Sequence, residues 1–264
     1  MAAPPGRAPD RDFPWWLVAA GVFGVGILAA ILLDPTYGKI LATLSKGIGV
    51  TVYVTVVAFA LATALGLGLA VCVLSGSVVL RQSARFYIEI VRGIPMLVLL
   101  FYIAFVAVPA LVAGWNALGL GTLATRDVPL IWRAILALAL GYAAFVAEVF
   151  RAGIQSVAAG QIEAAKSLGL TAWQRFRLVV MPQALRTILP PLGNDFIAMI
   201  KDSALVSVLG VADITQLGKV YAAGSFRYFE TYNVVTFLYL VMTIGLSLAL
   251  RALERRLRSR RDGL

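Results

Sequence analysis

Residues 163–184 read EAAKSLGLTAWQRFRLVVMPQA. The stretch carries Glu163, Lys166, Arg175 and Arg177, yet it stands between two long apolar runs. Its reading separates what lies outside a bilayer from what crosses it. Residues 161–168 predict a short helix that Gly169 can end, because the position just past a helix often takes positive φ. Thr171 can cap a second helix over 172–181, which Pro182 is expected to stop. The product is a basic helix–Gly–helix elbow with Leu168, Leu170, Trp173 and Phe176 as its exposed apolar residues. Such a face fits a groove on a partner or the surface of a bilayer. The residues alone leave both open.

Outward from the elbow the chain is apolar. Of 264 residues, 61% are hydrophobic and 14% charged, against about 25% charged in soluble domains. A bilayer core of about 30 Å takes roughly 20 apolar residues as a helix, and several runs reach that length. A β-barrel would alternate apolar and polar residues, and these runs are continuous. The fold class is therefore an all-α integral membrane protein. Six spans are expected, near 15–33, 51–74, 94–113, 131–150, 185–211 and 231–250. The first could be a signal peptide, since Arg7 and Arg11 precede it. Its apolar core is longer than usual for one and no small-residue cleavage site follows, so a retained anchor is the reading. The break Asp34-Pro35-Thr36-Tyr37-Gly38 separates it from the rest. Pro190, Pro191 and Gly193 are expected to break the start of span five.

With both termini in the cytoplasm, sixteen Lys and Arg fall in inside segments and six outside, with Lys201 inside span five. That asymmetry sets the orientation. It also accounts for the net charge of +10, so no nucleic-acid partner is expected. The tail over 251–264 reads as a basic anchor meeting anionic headgroups. Cys72 is the single cysteine and there is no His, which excludes an internal disulfide and a Cys/His metal site.

Charges at membrane depth are costly and usually face a cavity or a partner. Glu148 lies near the inner end of span four. Span five carries Asn194, Asp195, Lys201 and Asp202. At 3.6 residues per turn Asp195, Ala198 and Asp202 share one face, with Asn194 and Lys201 on an adjoining one. Lys201 is expected to neutralise Asp195 or Asp202. The cluster is either an internal salt bridge or the wall of a pathway. For a zwitterionic solute, Asn194 can serve either end, Lys201 the carboxylate, and Glu148 or Asp202 the ammonium. Glu89 and Arg92, three residues apart before Gly93-Ile94-Pro95, read as an interfacial ion pair.

The elbow carries a recognisable pattern. Glu163-Ala164-Ala165, then Gly169, then Val179-Val180-Met181-Pro182, resembles the EAA loop of ABC-importer permeases. Around it stand YIEIVRGIPMLVLLFYIAF (87–105), GYAAFVAEVFRAGIQSVAAGQ (141–161) and LPPLGNDFIAMIKDSALVSVLG (189–210). Together they resemble the permease subunits for polar amino acids of the histidine, glutamine, glutamate and arginine type, over about 47–257. Met181 departs from the family's more usual Leu, a volume-conserving swap.

The resemblance implies a type I-like core of five helices plus one N-terminal helix, in a multi-pass protein of the bacterial inner membrane. It implies a cytoplasmic tail at 1–14, an extra helix and linker at 15–46, and a permease domain at 47–250 whose coupling loop is 151–184. It implies that Glu163, Ala164, Ala165, Lys166, Leu168, Gly169 and Leu170 contact a cytoplasmic ATPase dimer. Small Ala164, Ala165 and Gly169 permit close approach, and Glu163 either pairs with a base on the ATPase or caps its own helix. A second permease subunit, like or unlike, and an extracytoplasmic binding protein are further implied partners. No GxxxxGK[ST] occurs in this chain, so ATP and Mg are expected on the ATPase and no cofactor here. An ion-coupled transporter or channel is the alternative, and it leaves the elbow without a role. An intramembrane enzyme lacks His and a suitable acid pair.

Overall fold

The computed structural model describes residues 15–259, and these are mostly helical with no strand among them. Helix α1 is Trp15–Leu33, α2 Pro35–Leu44 and α3 Ile48–Leu74, with a 3-10 turn at Ser45–Gly47 between the last two. Then come α4 Val78–Gly93, α5 Met96–Tyr102, a π-turn at Ile103–Ala107, and α6 Val108–Ala117. Helix α7 is Leu130–Gln155, α8 Ala159–Ser167 and α9 Ala172–Arg175; a second π-turn, Phe176–Val180, leads into α10 Met181–Asp202. A 3-10 stretch at Ser203–Leu209 precedes α11 Ile214–Ser225 and α12 Tyr228–Ser259. The expected tail at 1–14 and the end of the basic tail, 260–264, lie outside the described residues.

Among the described residues four stretches are long and apolar enough to cross a membrane, Pro35–Leu74, Met96–Ala117, Leu130–Gln155 and Tyr228–Ala252, with a shorter apolar helix at Gly21–Leu33. The fifth expected span is α10. It is too polar to qualify by composition, but it packs against α7, α12 and α3. Helix α7 is the centre of the bundle. Its Ala134, Ala137, Leu138, Ala143 and Ala144 are fully buried, and its small residues let α3 approach. A Cβ on Gly66 of α3 would stand 2.7 Å from Val146.

Three local expectations are corrected. The break at 34–38 is one residue wide. Asp34 accepts the Thr36 N–H at 2.7 Å and caps α2, whose first residue is Pro35. That backbone hydrogen bond holds the Asp34 carboxyl below the usual carboxylate range. Pro is favoured there because an N–H at that position would have no helical partner. Pro182 does not stop its helix either. The π-turn before it shifts the hydrogen-bond ladder, and Pro182 falls in the first turn of α10, while Gln183 Nε2 donates to the Val179 carbonyl at 3.0 Å. Nor do Pro190, Pro191 and Gly193 break α10, which runs through all three. Packing on both sides holds it. Gly153 of α7 leaves space that Ile188 fills, since a Cβ there would be 2.2 Å from Ile188, and Gly193 does the same for Leu250 of α12 at 2.4 Å.

The start of α3 is locked in a similar way, but against backbone. A Cβ on Gly47 would lie 2.5 Å from the Ile214 nitrogen and 2.6 Å from the Asp213 carbonyl carbon. Backbone yields less easily than a side-chain tip. Gly47→Ala is expected to destabilise the chain by about 1–3 kcal/mol or more. Gly49→Ala, two residues on with nothing within 4 Å, should be neutral or better. Thermal unfolding of the purified variants in detergent checks the pair, and equal midpoints would refute the steric account.

Candidate functional site

The elbow is built almost entirely from local interactions. Helix α8 closes with a Schellman motif: the Leu170 N–H donates to the Ala165 carbonyl at 3.2 Å and the Gly169 N–H to Lys166 at 3.0 Å, with Gly169 at φ +76°. Thr171 then opens α9 with a reciprocal capping box. The Gln174 N–H donates to Thr171 Oγ1, and the Thr171 N–H to Gln174 Oε1 at 2.8 Å. Arg175 Nη1 donates to the Leu170 carbonyl at 2.8 Å, tying α9 back across the turn. The elbow therefore presents a stiff surface rather than a loose loop.

That surface is Glu163, Ala164, Lys166, Leu168 and Gly169, all exposed, with Leu168 at 81%. Ala165 is buried in the chain and Leu170 half-buried, so those two shape the turn from within rather than offering contact. Glu163 sits mid-helix and not at the N-terminus of α8. Its position does not suit helix capping, one of the two roles read for it, and its carboxylate is in no ion pair among the described residues.

The second site is a cavity of about 270 Å³ between α4, α5, α7 and α10. Its apolar walls include Val91, Ile94, Met96, Leu99 and Phe145, and its polar groups are Tyr142, Asp195 and Asp202. Asp195, Ala198 and Asp202 all line it, on the face that their helical spacing gives them. Gly141 sets the edge. A Cβ there would be 2.6 Å from Met96 Cε, so the glycine lets α5 close against α7. Tyr142, which in the sequence is one more member of an apolar run, donates its hydroxyl to Asp202 Oδ2 at 2.8 Å. Asp195 has no such partner. Its Oδ2 is buried and accepts no hydrogen bond from the described residues. A buried acceptor without a donor is costly, and it is the feature a cationic ligand would relieve.

The expected Lys201 pairing is absent. Among the described residues the ion pairs are Arg151–Glu148 at 2.6 Å and Arg227–Glu230 at 3.4 Å. Lys201 is exposed and lines a different cavity, with Thr215, Thr236, Tyr239 and Thr243. The helix turns it about 100° from Asp202, and the lysine follows the face toward α12. Asn194 lies outside the acidic cavity. Glu148 is held by Arg151, which also bonds Gln155. The expected ion pair of Glu89 with Arg92 is likewise absent among the described residues. The Arg92 guanidinium stands 5.7 Å from the centroid of the Phe145 ring instead, a cation–π distance, so it flanks the cavity through one of the walls.

Arg133 is a further residue the sequence does not reveal. It falls among the outside charges in the topology count, but it is buried and donates to the carbonyls of Val128 at 2.9 Å, Ala104 at 3.0 Å, and Thr125. It ties the loop before α7 to the π-turn after α5. The sequence signal for it is weak, one Arg at the edge of an apolar run.

Compared with known proteins, residues 62–259 match the family described as binding-protein-dependent transport system inner membrane component. The chain is 39% identical over 177 residues to a probable amino-acid permease protein, YxeN, of Bacillus subtilis (strain 168), covering 67% of this chain and 74% of that one. It is 37% identical over 183 residues to the glutamine transport system permease protein GlnP of Escherichia coli (strain K12), covering 69% and 78%. Among solved structures, an amino acid ABC transporter crystallised with histidines superposes with a TM-score of 0.72 at 38% identity, over 84% of this chain and 97% of that one. The methionine ABC transporter MetNI in an inward-facing conformation superposes at 0.62 and 22% identity, over 84% and 98%, a likeness of fold.

Proposed function

Because the chain belongs to the inner membrane components of binding-protein-dependent transport systems, and is a permease subunit of an ABC importer, we propose that its substrate is a polar amino acid. The solute arrives from an extracytoplasmic binding protein and leaves into the cytoplasm. A separate cytoplasmic ATPase dimer binds ATP and Mg and supplies the energy, and a second permease subunit completes the pathway. The chain is a multi-pass membrane protein. Both termini are cytoplasmic in this proposal.

The observation that carries the substrate reading is the unpartnered buried oxygen of Asp195 in a cavity of about 270 Å³. Every amino acid brings an α-ammonium, a charged donor that such an oxygen accepts. Asp202 is already held by Tyr142, which leaves Asp195 to take it. This replaces the assignment of the ammonium to Glu148 or Asp202 and leaves Asn194 and Lys201 outside the first contact. Glu163, Ala164, Lys166, Leu168 and Gly169 form the contact for the ATPase, on the support of their exposure and of the stiff turn behind them. The test is uptake by the co-purified complex in proteoliposomes containing binding protein. Uptake of a polar amino acid that needs ATP agrees with the proposal. Uptake that runs on an ion gradient without ATP contradicts it.

The orientation has its own check. In a Cys72→Ala background, Lys166→Cys is expected to react with an impermeant thiol reagent only after the membrane is opened, and Arg126→Cys from outside in intact cells. Labelling at position 166 from outside would reverse the topology.

A further inference from the structure

Beneath the elbow lies a larger cavity that neither the substrate nor the ATPase reading uses. Its volume is about 630 Å³, and its walls are apolar. Leu67 and Val71 of α3, Phe150 of α7, Trp173 of α9, Phe176 at the start of the π-turn, and Ile188 of α10 line it. The Trp173 and Phe176 rings stack at 5.9 Å, so the elbow itself forms one wall. Polar groups are nearly absent from it, so water has little to bond there, and a cavity of this kind stays dry or takes an apolar guest. Leu67, Val71 and Trp173 are exposed as well as cavity-lining. The opening is therefore on the flank of α3, part of a stretch long and apolar enough to cross a membrane.

The rim is basic. Ser75 lines the cavity, and Arg81 Nη1 donates to its carbonyl at 3.3 Å. No carboxylate pairs with Arg81 among the described residues, and most of its five donors are left for another acceptor. An apolar slot beside a guanidinium at the membrane edge matches one kind of molecule, with a hydrocarbon chain and a phosphate. We propose that this cavity is a site for an anionic phospholipid of the leaflet next to the elbow, one acyl chain lying between α3 and α10 and the phosphate on Arg81. A chain lodged there supports the Trp173–Phe176 wall and so stiffens the elbow from behind.

The experiment uses the purified complex in nanodiscs with Trp15, Trp16, Trp115 and Trp132 of this chain changed to Phe, and reads Trp173 as the difference between that protein and the same protein carrying Trp173→Phe, so that tryptophans of the other subunits cancel. Phosphatidylglycerol or phosphatidylcholine with brominated acyl chains is added at equal mole fraction, and quenching of Trp173 fluorescence is titrated. The expected result is a preference of about fivefold for phosphatidylglycerol, the weight of one basic residue at a lipid surface, which Arg81→Gln removes. Ala172→Leu, which narrows the cavity, should reduce quenching by both lipids. Equal quenching by the two lipids in the parent protein would overturn the proposal, as would a preference that survives Arg81→Gln. Absence of quenching by either lipid would show that a protein surface covers the cavity, and that too overturns it.

Discussion

Asp195→Asn is expected to weaken substrate capture by the permease roughly 30-fold to a few thousand-fold. Removing one partner of a desolvated charge pair costs about 2–5 kcal/mol, and each 1.4 kcal/mol is a factor of about ten. The same change should not harm the fold. The bare carboxylate oxygen of Asp195 has no donor among the described residues, and a neutral amide removes a buried charge that is costly to leave unpaired. Function and stability therefore move in opposite directions, with uptake falling while the unfolding midpoint holds or rises. Concentration-dependent uptake in proteoliposomes and thermal unfolding of the same preparation measure the two. A variant that loses stability along with uptake would mark Asp195 as structural. A variant with unchanged uptake would remove the cavity from the solute pathway.

Gly169→Leu is expected to leave the chain inserted but to separate it from its ATPase. The glycine stands at φ +76°, and a Cβ added to it would meet nothing within 4 Å. Crowding inside the chain is therefore not the problem. The left-handed backbone costs an L-residue about 1–2 kcal/mol, and the Schellman closure that aims Leu168 outward depends on it. A Leu at 169 also projects from the exposed face proposed to meet the ATPase. Uptake and transport-stimulated ATP hydrolysis should fall together, by at least about 5- to 30-fold from the backbone alone. Gly169→Asn separates the two causes, because Asn enters the left-handed region more readily. If Asn restores coupling, φ decides, and if it fails as Leu does, the contact space decides. A Leu variant that binds ATPase and transports at the parent rate would refute the coupling surface.

The elbow is legible in the sequence because its determinants are neighbours in the chain. A glycine after a helix, a Thr with Gln three residues on, and a run of small residues before them specify a turn without help from distant parts. The spans are legible for a similar reason, since apolar length is a local property. Span five is legible only in part. The spacing of Asp195, Ala198 and Asp202 puts them on one face, and all three line one cavity. The prolines beside them mislead, because a proline removes a ladder bond wherever it stands, but whether the helix survives depends on what presses on it. Here Ile188 against Gly153 and Leu250 against Gly193 press from two sides. Arg133 and Lys201 depart from expectation in opposite directions. One reads as a surface charge and is buried among carbonyls, and the other reads as a buried counter-ion and is exposed.

By itself the sequence determined that this chain is a membrane-crossing helical protein with one stiff polar elbow, since burial in hydrocarbon and turn closure are settled within a few residues. Only the tertiary structure decided which carboxylate is left bare. Asp195 and Asp202 are seven residues apart on the same helical face, and composition does not distinguish them. Tyr142, sixty residues upstream of Asp202, is brought across by the packing of α7 on α10 and donates to one and not the other. A hydroxyl reaches one acceptor about 2.8 Å away and leaves the second, two turns along the helix, beyond its range.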